Sequence, residues 1–216
     1  MNRVKALYRS WGILCEGQQV YAPRYRAEWL NKIGEAGVRR RAEFFYQQLD
    51  ALRALRQDVR RDLLAESQKQ SVMKILREIP TIGPVRAALL IALIQTPHRF
   101  RTKRQLWTYS GLAVDTRDSA QHRYVAGQLQ PSKKPQQVRG LNKNHNHDMK
   151  AIFKSAATMA SSREGPFHDF YQGLLTKGMK PAMARLTLAR KIAAITLILW
   201  KKGAHFDAEH LKLQAA

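Results

Sequence analysis

The sequence predicts a mainly α protein: a long helical arm, then a helical domain with a helix-hairpin-helix-like motif and an extended basic loop or short β-hairpin. Three observations predict it. From Val38 to Gln70, apolar residues return at three- and four-residue steps with no glycine or proline to interrupt them. Pro80, Pro97, Gly111, Pro181 and Gly203 then fall at the ends of apolar stretches, where helices stop or start. Residues 112–142 alone lose the helical period over a long run.

In chain order, the first 35 residues mix aromatic and basic side chains (Tyr8, Arg9, Trp11, Tyr21, Arg24, Tyr25, Arg26, Trp29), and Trp29, Leu30 and Ile33 suggest a short helix. The following arm carries Phe45, Leu49, Leu52, Leu55 or Arg56, Val59 and Leu63 on one face. Such a face either packs on its own domain or pairs with a second helix as a coiled-coil arm. Further helices are expected over Val85–Gln95, Thr102–Ser110, Asp148–Ala160, Phe167–Leu175 and Pro181–Lys202. In the last, Met183, Leu186, Ala189, Ala193, Thr196, Leu197 and Trp200 form the apolar face, and Lys201 and Lys202 complement the C-terminal dipole. Residues 112–142 read as loop with one short β-hairpin. The expected division is residues 1–70 as N-terminal segment and arm, 71–210 as the main domain, and 211–216 as a tail.

Composition narrows the partners. With 38 Lys+Arg against 16 Asp+Glu, the net charge is +22, an excess that repels itself unless a polyanion offsets it. Nucleic acid is the usual polyanion, although ribosomal and membrane-surface proteins share this balance. The lone Cys15 excludes an internal disulfide and a cysteine-based zinc site. The most apolar run, Ile192–Trp200, is far short of the roughly 20 residues a bilayer requires. The N-terminus lacks the apolar core of a signal peptide. The sequence therefore predicts a soluble, cytoplasmic, nucleoid-associated protein with no membrane partner.

Two segments carry chemistry. In Ile79-Pro80-Thr81-Ile82-Gly83-Pro84-Val85-Arg86, Gly83 would permit a tight turn, and the helix behind it would offer N–H groups to phosphate. Thr81 stands where such hairpins usually carry glycine. An ordinary corner between core helices is the plainer reading. The second segment holds ten lysines and arginines between Arg99 and Lys143 against Asp115 and Asp118, with Trp107, Tyr109 and Tyr124 interleaved. That mixture suits a groove tracking a nucleic-acid backbone. Ser119, beside Arg117, His122 and Arg123, is a candidate nucleophile, with Ser110, Ser132 and Ser155 as alternatives. Asn142-Lys143-Asn144-His145-Asn146-His147-Asp148 could suggest a metal, but the run better suits a helix cap through Asn144 or Asn146. No strand delivers paired carboxylates, so no metal site is expected within this chain.

The ordered set Ile79–Pro84, Phe100-Arg101-Thr102-Lys103-Arg104-Gln105-Leu106-Trp107-Thr108-Tyr109-Ser110-Gly111-Leu112, and Arg117-Asp118-Ser119 is similar to the C-terminal transposase domain of the insertion-sequence 110/116/902 family. Gly165-Pro166-Phe167-His168-Asp169-Phe170-Tyr171, Lys177-Gly178-Met179-Lys180-Pro181 and Trp200-Lys201-Lys202-Gly203 agree with it. The resemblance implies a DNA recombinase guided by a structured RNA, in which this region supplies a serine that joins DNA covalently. That role would fall on Ser119. DNA contacts would fall on Pro80, Thr81, Ile82, Gly83 and Arg86 in the hairpin and on Lys103, Arg104, Arg117, Arg123 and Lys143. Ala120-Gln121-His122 departs from the family's glycine-rich continuation, and residues 126–139 look like an insertion.

The family's acid-bearing ribonuclease-H-like domain is not in this sequence, which therefore resembles a truncated transposase. Magnesium is expected only with that domain, and strand exchange only with a polypeptide that supplies it. Expected partners are DNA, a structured guide RNA, and a second copy or a full-length transposase. The alternative is a non-catalytic nucleic-acid-binding module.

Overall fold

Helix-start and helix-stop chemistry sets most boundaries in this chain. The computed structural model describes residues 2–117, 122–131 and 137–212. The chain divides into two compact units, Met1–Asp62 and Leu63–Ala216.

The first unit is built on α1 (Asn2–Ser10), α2 (Arg26–Asn31) and the beginning of α3 (Ala36–Gln68), with single 3₁₀ turns at Gln19–Tyr21 and Pro23–Tyr25. The Glu35 carboxylate accepts the Gly37 and Val38 amides, two donors that a helix start leaves without intrahelical partners. Those bonds hold its carboxyl below the usual glutamate range. The core is aromatic: Tyr8, Tyr21, Trp29 and Tyr46 pack with Val4, Leu7, Val20, Ile33 and Leu49. Burying tyrosines requires partners for their hydroxyls. Tyr46 donates to the Val20 carbonyl at 3.0 Å, and the Tyr8 hydroxyl lies 3.1 Å from that of Tyr46. Burial pushes both phenols upward. Cys15 is buried here as a small apolar side chain. The aromatic and basic N-terminal stretch thus makes a core, with Arg26 and Lys32 stacked on Tyr46 and Trp29.

The second unit contains α4 (Val72–Glu78), α5 (Pro84–Ile94), α6 (Lys103–Tyr109), α7 (His147–Ser162), α8 (Pro166–Thr176), α9 (Pro181–Lys202) and α10 (Glu209–Lys212). α9 is its axis, packed against α4, α6, α7 and α8. Proline opens it and Gly203, at φ +62, closes it with the left-handed cap favoured at helix ends. The sequence suggests one apolar face, yet every residue from Lys191 to Leu197 is buried. Alanines at 184, 189, 193 and 194 let neighbouring helices approach from several sides. Asn146 caps α7, accepting the Met149 amide at 2.9 Å.

Residues 112–142 form more regular structure than one hairpin. β1 (Val114–Arg117) pairs antiparallel with β4 (Gln137–Leu141), and β2 (His122–Val125) pairs with β3 (Gln128–Pro131). The β2–β3 turn is Ala126-Gly127, both at positive φ, as a two-residue hairpin demands. The β1–β4 register slips between Val114 and Thr116, where residues 139 and 140 of β4 face Asp115 alone, a bulge that includes Gly140 at φ +94. No helix among the described residues is long and apolar enough to cross a membrane.

Candidate nucleic-acid interface

The helix-breaking residues between α4 and α5 make a four-residue turn. Pro80 ends α4, and the Ile82 amide donates to the Ile79 carbonyl at 3.0 Å. Thr81 occupies the third position at φ +70, a conformation that favours glycine or asparagine. Gly83, to which the sequence assigns the tight turn, is instead extended at φ −74, ψ 176, where any residue fits. Strain therefore sits on the threonine, whose Oγ1 is buried without a hydrogen-bond partner.

Arg86 compensates. From the first turn of α5, Nη1 donates to the Thr81 carbonyl at 2.7 Å, and Nε donates to Ser155 Oγ on α7 at 3.2 Å. Burial pulls this guanidinium below the ordinary arginine range. Two of its three nitrogens are thereby occupied within the fold. Ahead of it, Gly83 and Pro84 are exposed, and a Cβ added at Gly83 would meet nothing within 4 Å. The amides of Gly83, Val85 and Arg86 donate to no described acceptor. Pro80 is half-buried, and Ile82 is sealed in the core at 1% exposure.

α6 begins under its own capping pair. Thr102 Oγ1 accepts the Gln105 amide at 3.3 Å while Gln105 Oε1 accepts the Arg101 amide at 2.7 Å. Lys103 and Arg104 are exposed in that first turn, where their charge opposes the helix's own dipole. An anion there would find both amides and cations. Trp107 is no free stacking platform: its Nε1 donates to the Arg190 carbonyl at 2.9 Å, and Arg190 Nε reaches the Leu112 carbonyl at 2.6 Å. Tyr109 packs on Phe100, with the Arg99 guanidinium over its ring. Tyr124, on β2, is 74% exposed.

Lys143 is exposed near the opposite end of α6. Its loop is fastened there by Asn142 Nδ2 to the Thr108 carbonyl at 3.1 Å and the Asn146 amide to the Tyr109 carbonyl at 2.8 Å. His145 lies against Gly111, tilted against His147 with ring centroids 4.5 Å apart, and both its nitrogens are buried without partners. Sequence reasoning missed that packing.

Arg117 ends β1 and Arg123 lies in β2, described in their backbone alone, and Ser119 lies outside the described residues, as does Ser132. Of the other serines, Ser110 is fully buried and donates to the Leu106 carbonyl, so a DNA strand cannot reach it. Ser155 is held between Arg86 and the Ile152 carbonyl. The structure thus brings Thr81, Gly83 and Arg86 together, and sets Lys103 and Arg104 apart from Lys143 at the two ends of α6. Among the described residues no hydrogen bond links the Ile79–Gly83 turn to α6 or the strands.

Residues 73–172, from α4 into α8, match the family model described as Transposase IS116/IS110/IS902 family. Over that stretch the chain is similar to that transposase family. That likeness connects residues 73–172 with transposase-related DNA recombination and with DNA as a partner. No curated protein matches the chain. The described residues gather no group of three or more His, Cys, Asp or Glu.

Proposed function

We propose that this transposase segment binds DNA through the Ile79–Arg86 hairpin and the cations around α6, and supplies Ser119 as the nucleophile of strand cleavage. The observation that carries the binding reading is the α5 start. Three amides without acceptors sit behind an exposed Gly83-Pro84 whose front is open, the arrangement by which a hairpin between helices holds phosphate. In this reading Arg86 braces the turn and offers its remaining nitrogen outward, while Lys103, Arg104, Arg117, Arg123 and Lys143 neutralise the flanking phosphates.

At Ser119 the hydroxyl oxygen attacks phosphorus. An O–P bond forms, the P–O bond to one flanking deoxyribose breaks, and the serine proton passes through a base to the departing oxygen. Attack by another strand end on the resulting phosphoserine reverses the step and completes exchange. Cations beside the serine support this by holding the non-bridging oxygens. Carboxylates and magnesium come, in this proposal, from another polypeptide, and a structured RNA serves as guide.

Duplex binding is tested by mobility shift across a salt series, with an expected steep weakening as salt rises. Ser119→Ala keeps the affinity but abolishes the protein–DNA adduct formed when an acid-bearing transposase domain is added. Gly83→Ala keeps the fold and loses affinity, because its Cβ intrudes where phosphate approaches. Tighter binding of structured RNA than of DNA at every salt concentration would transfer the hairpin to the guide.

A further inference from the structure

A cleft of about 570 Å³ opens in the Leu63–Ala216 unit, and none of the Ile79–Arg86 hairpin residues lines it. Its wall is aliphatic: Leu112, Val114 and Leu141 from the base of the β1–β4 pair, and Met183 and Leu186 from α9. Lys150 and Lys154 of α7 and Arg185 of α9 line it too, and among the described residues no carboxylate does. Lys154 and Arg185 are exposed, and none of the three cations has a described ion pair. We propose that this cleft receives an unpaired base of a nucleic-acid strand, with the phosphates on either side held by Lys150, Lys154 and Arg185.

Four features favour that occupant over a protein or a small metabolite. The volume is that of a small-molecule pocket, enough for one nucleotide and too small for a folded partner. Lys150 and Lys154 stand four residues apart on one helix face, where like charges repel, so an anion between them is stabilising. Gly140, at φ +94, borders the cleft, and a Cβ there would meet nothing within 4 Å, which keeps that side low. Met183 is 49% exposed, and its flexible thioether adapts to bases of different outline. An apolar slot beside cations fits a flat apolar ring carried on a charged backbone. A base inside a duplex reaches it only by leaving the stack, so an already unpaired base enters at less cost.

The inference rests on the nucleic-acid reading above and sharpens it. Its test uses the full chain and two duplexes of the same sequence, one fully paired and one bearing a single bulged 2-aminopurine. The bulged duplex should bind about tenfold more tightly, the preference an avoided unstacking step gives, with a change in 2-aminopurine fluorescence. Met183→Trp, at an exposed position, fills the cleft. It should remove the preference while leaving affinity for the paired duplex unchanged. The double variant Lys154→Gln, Arg185→Gln should weaken the bulged duplex more than the paired one. Equal binding of the two duplexes by the native chain overturns the inference, as does a preference that survives Met183→Trp. An acidic amphipathic peptide that binds the native chain but not Met183→Trp, without affecting either duplex, would assign the cleft to a protein and also overturn it. Failure to bind either duplex would instead sink the nucleic-acid reading beneath it.

Discussion

Arg86 Nη1 lies 2.7 Å from the carbonyl oxygen of Thr81, so the helix that leaves the hairpin turn also clamps it. The clamp accounts for a threonine at φ +70, a β-branched residue where the backbone favours glycine. Removing the clamp by Arg86→Ala leaves the Thr81 carbonyl and Ser155 short of a donor and should cost about 1–3 kcal/mol of unfolding free energy. Thr81→Gly relieves the left-handed strain and removes a buried hydroxyl without a partner, and should stabilise by about 1 kcal/mol. Urea unfolding of both variants measures these effects. Unchanged stability in Arg86→Ala with lost DNA affinity would make the arginine a phosphate contact and not a brace.

A second close approach fixes the turn after α6. A Cβ placed on Gly111 would lie 2.4 Å from His145 Cγ, and the residue sits at φ +63. Gly111→Ala therefore meets both a ring and a backbone penalty and should destabilise by more than about 2 kcal/mol. Adding His145→Ala should recover the steric part and leave the backbone part, a coupling read from a double-mutant cycle. Additive single-variant costs would show that the ring is not the obstacle.

These two turns also mark what the sequence conveyed and what it withheld. Pro181 and Gly203 bounded α9 because their backbone preferences are local, and for the same reason the α7 cap was narrowed to Asn144 or Asn146, of which Asn146 is the one used. The β1–β4 pair was not legible, because Val114 meets Leu141 across a long chain separation, and Ala126-Gly127 lacks the asparagine or aspartate that announces a hairpin. Arg86 looked like a free cation, since nothing in its neighbours names Ser155 on a distant helix as a partner. The ordered motifs from Ile79 to Ser119 conveyed the family through residues 73–172. They conveyed no cleft at Met183, because its walls come from β1, β4, α7 and α9 at once.

Acid should loosen the first unit through one carboxylate. Asp50 accepts hydrogen bonds from the two terminal guanidinium nitrogens of Arg26, at 2.6 and 2.9 Å, and those bonds, ahead of the charges of Arg26 and Arg53, lower its pKa. A folded value below the unfolded one means that the unfolded chain binds more protons in acid. The stabilisation is therefore complete above the unfolded value, about 3.9, and disappears as pH falls through the lower folded value. Because Asp50 is nearly half exposed, solvent limits the pair to about 0.5–1 kcal/mol. Asp50→Asn should be less stable than the native chain by that amount at pH 7, and the difference should shrink as pH falls below the unfolded value. A difference that persists into acid would mean that the amide disturbs packing and that charge is not the cause.

The arm carries an unfinished surface. On α3, Ala42, Tyr46 and Leu49 are buried in the first unit, whereas Leu52, Leu55 and Val59 continue at three- and four-residue steps but are 63%, 58% and 58% exposed. Polar residues at those three positions would be the ordinary choice for a solvated helix, whereas each of these apolar side chains would contribute about 1.5–3 kcal/mol if covered. A parallel or antiparallel pairing of two α3 helices covers all three without changing either fold. The native chain should therefore sediment as a dimer at micromolar concentration. Replacing Leu52, Leu55 and Val59 together by glutamine should return it to a monomer with an unaltered helical signal in circular dichroism. A native chain that stays monomeric throughout that range would leave the stripe for a different polypeptide, and a full-length transposase added at equal concentration would then be the species to test against it.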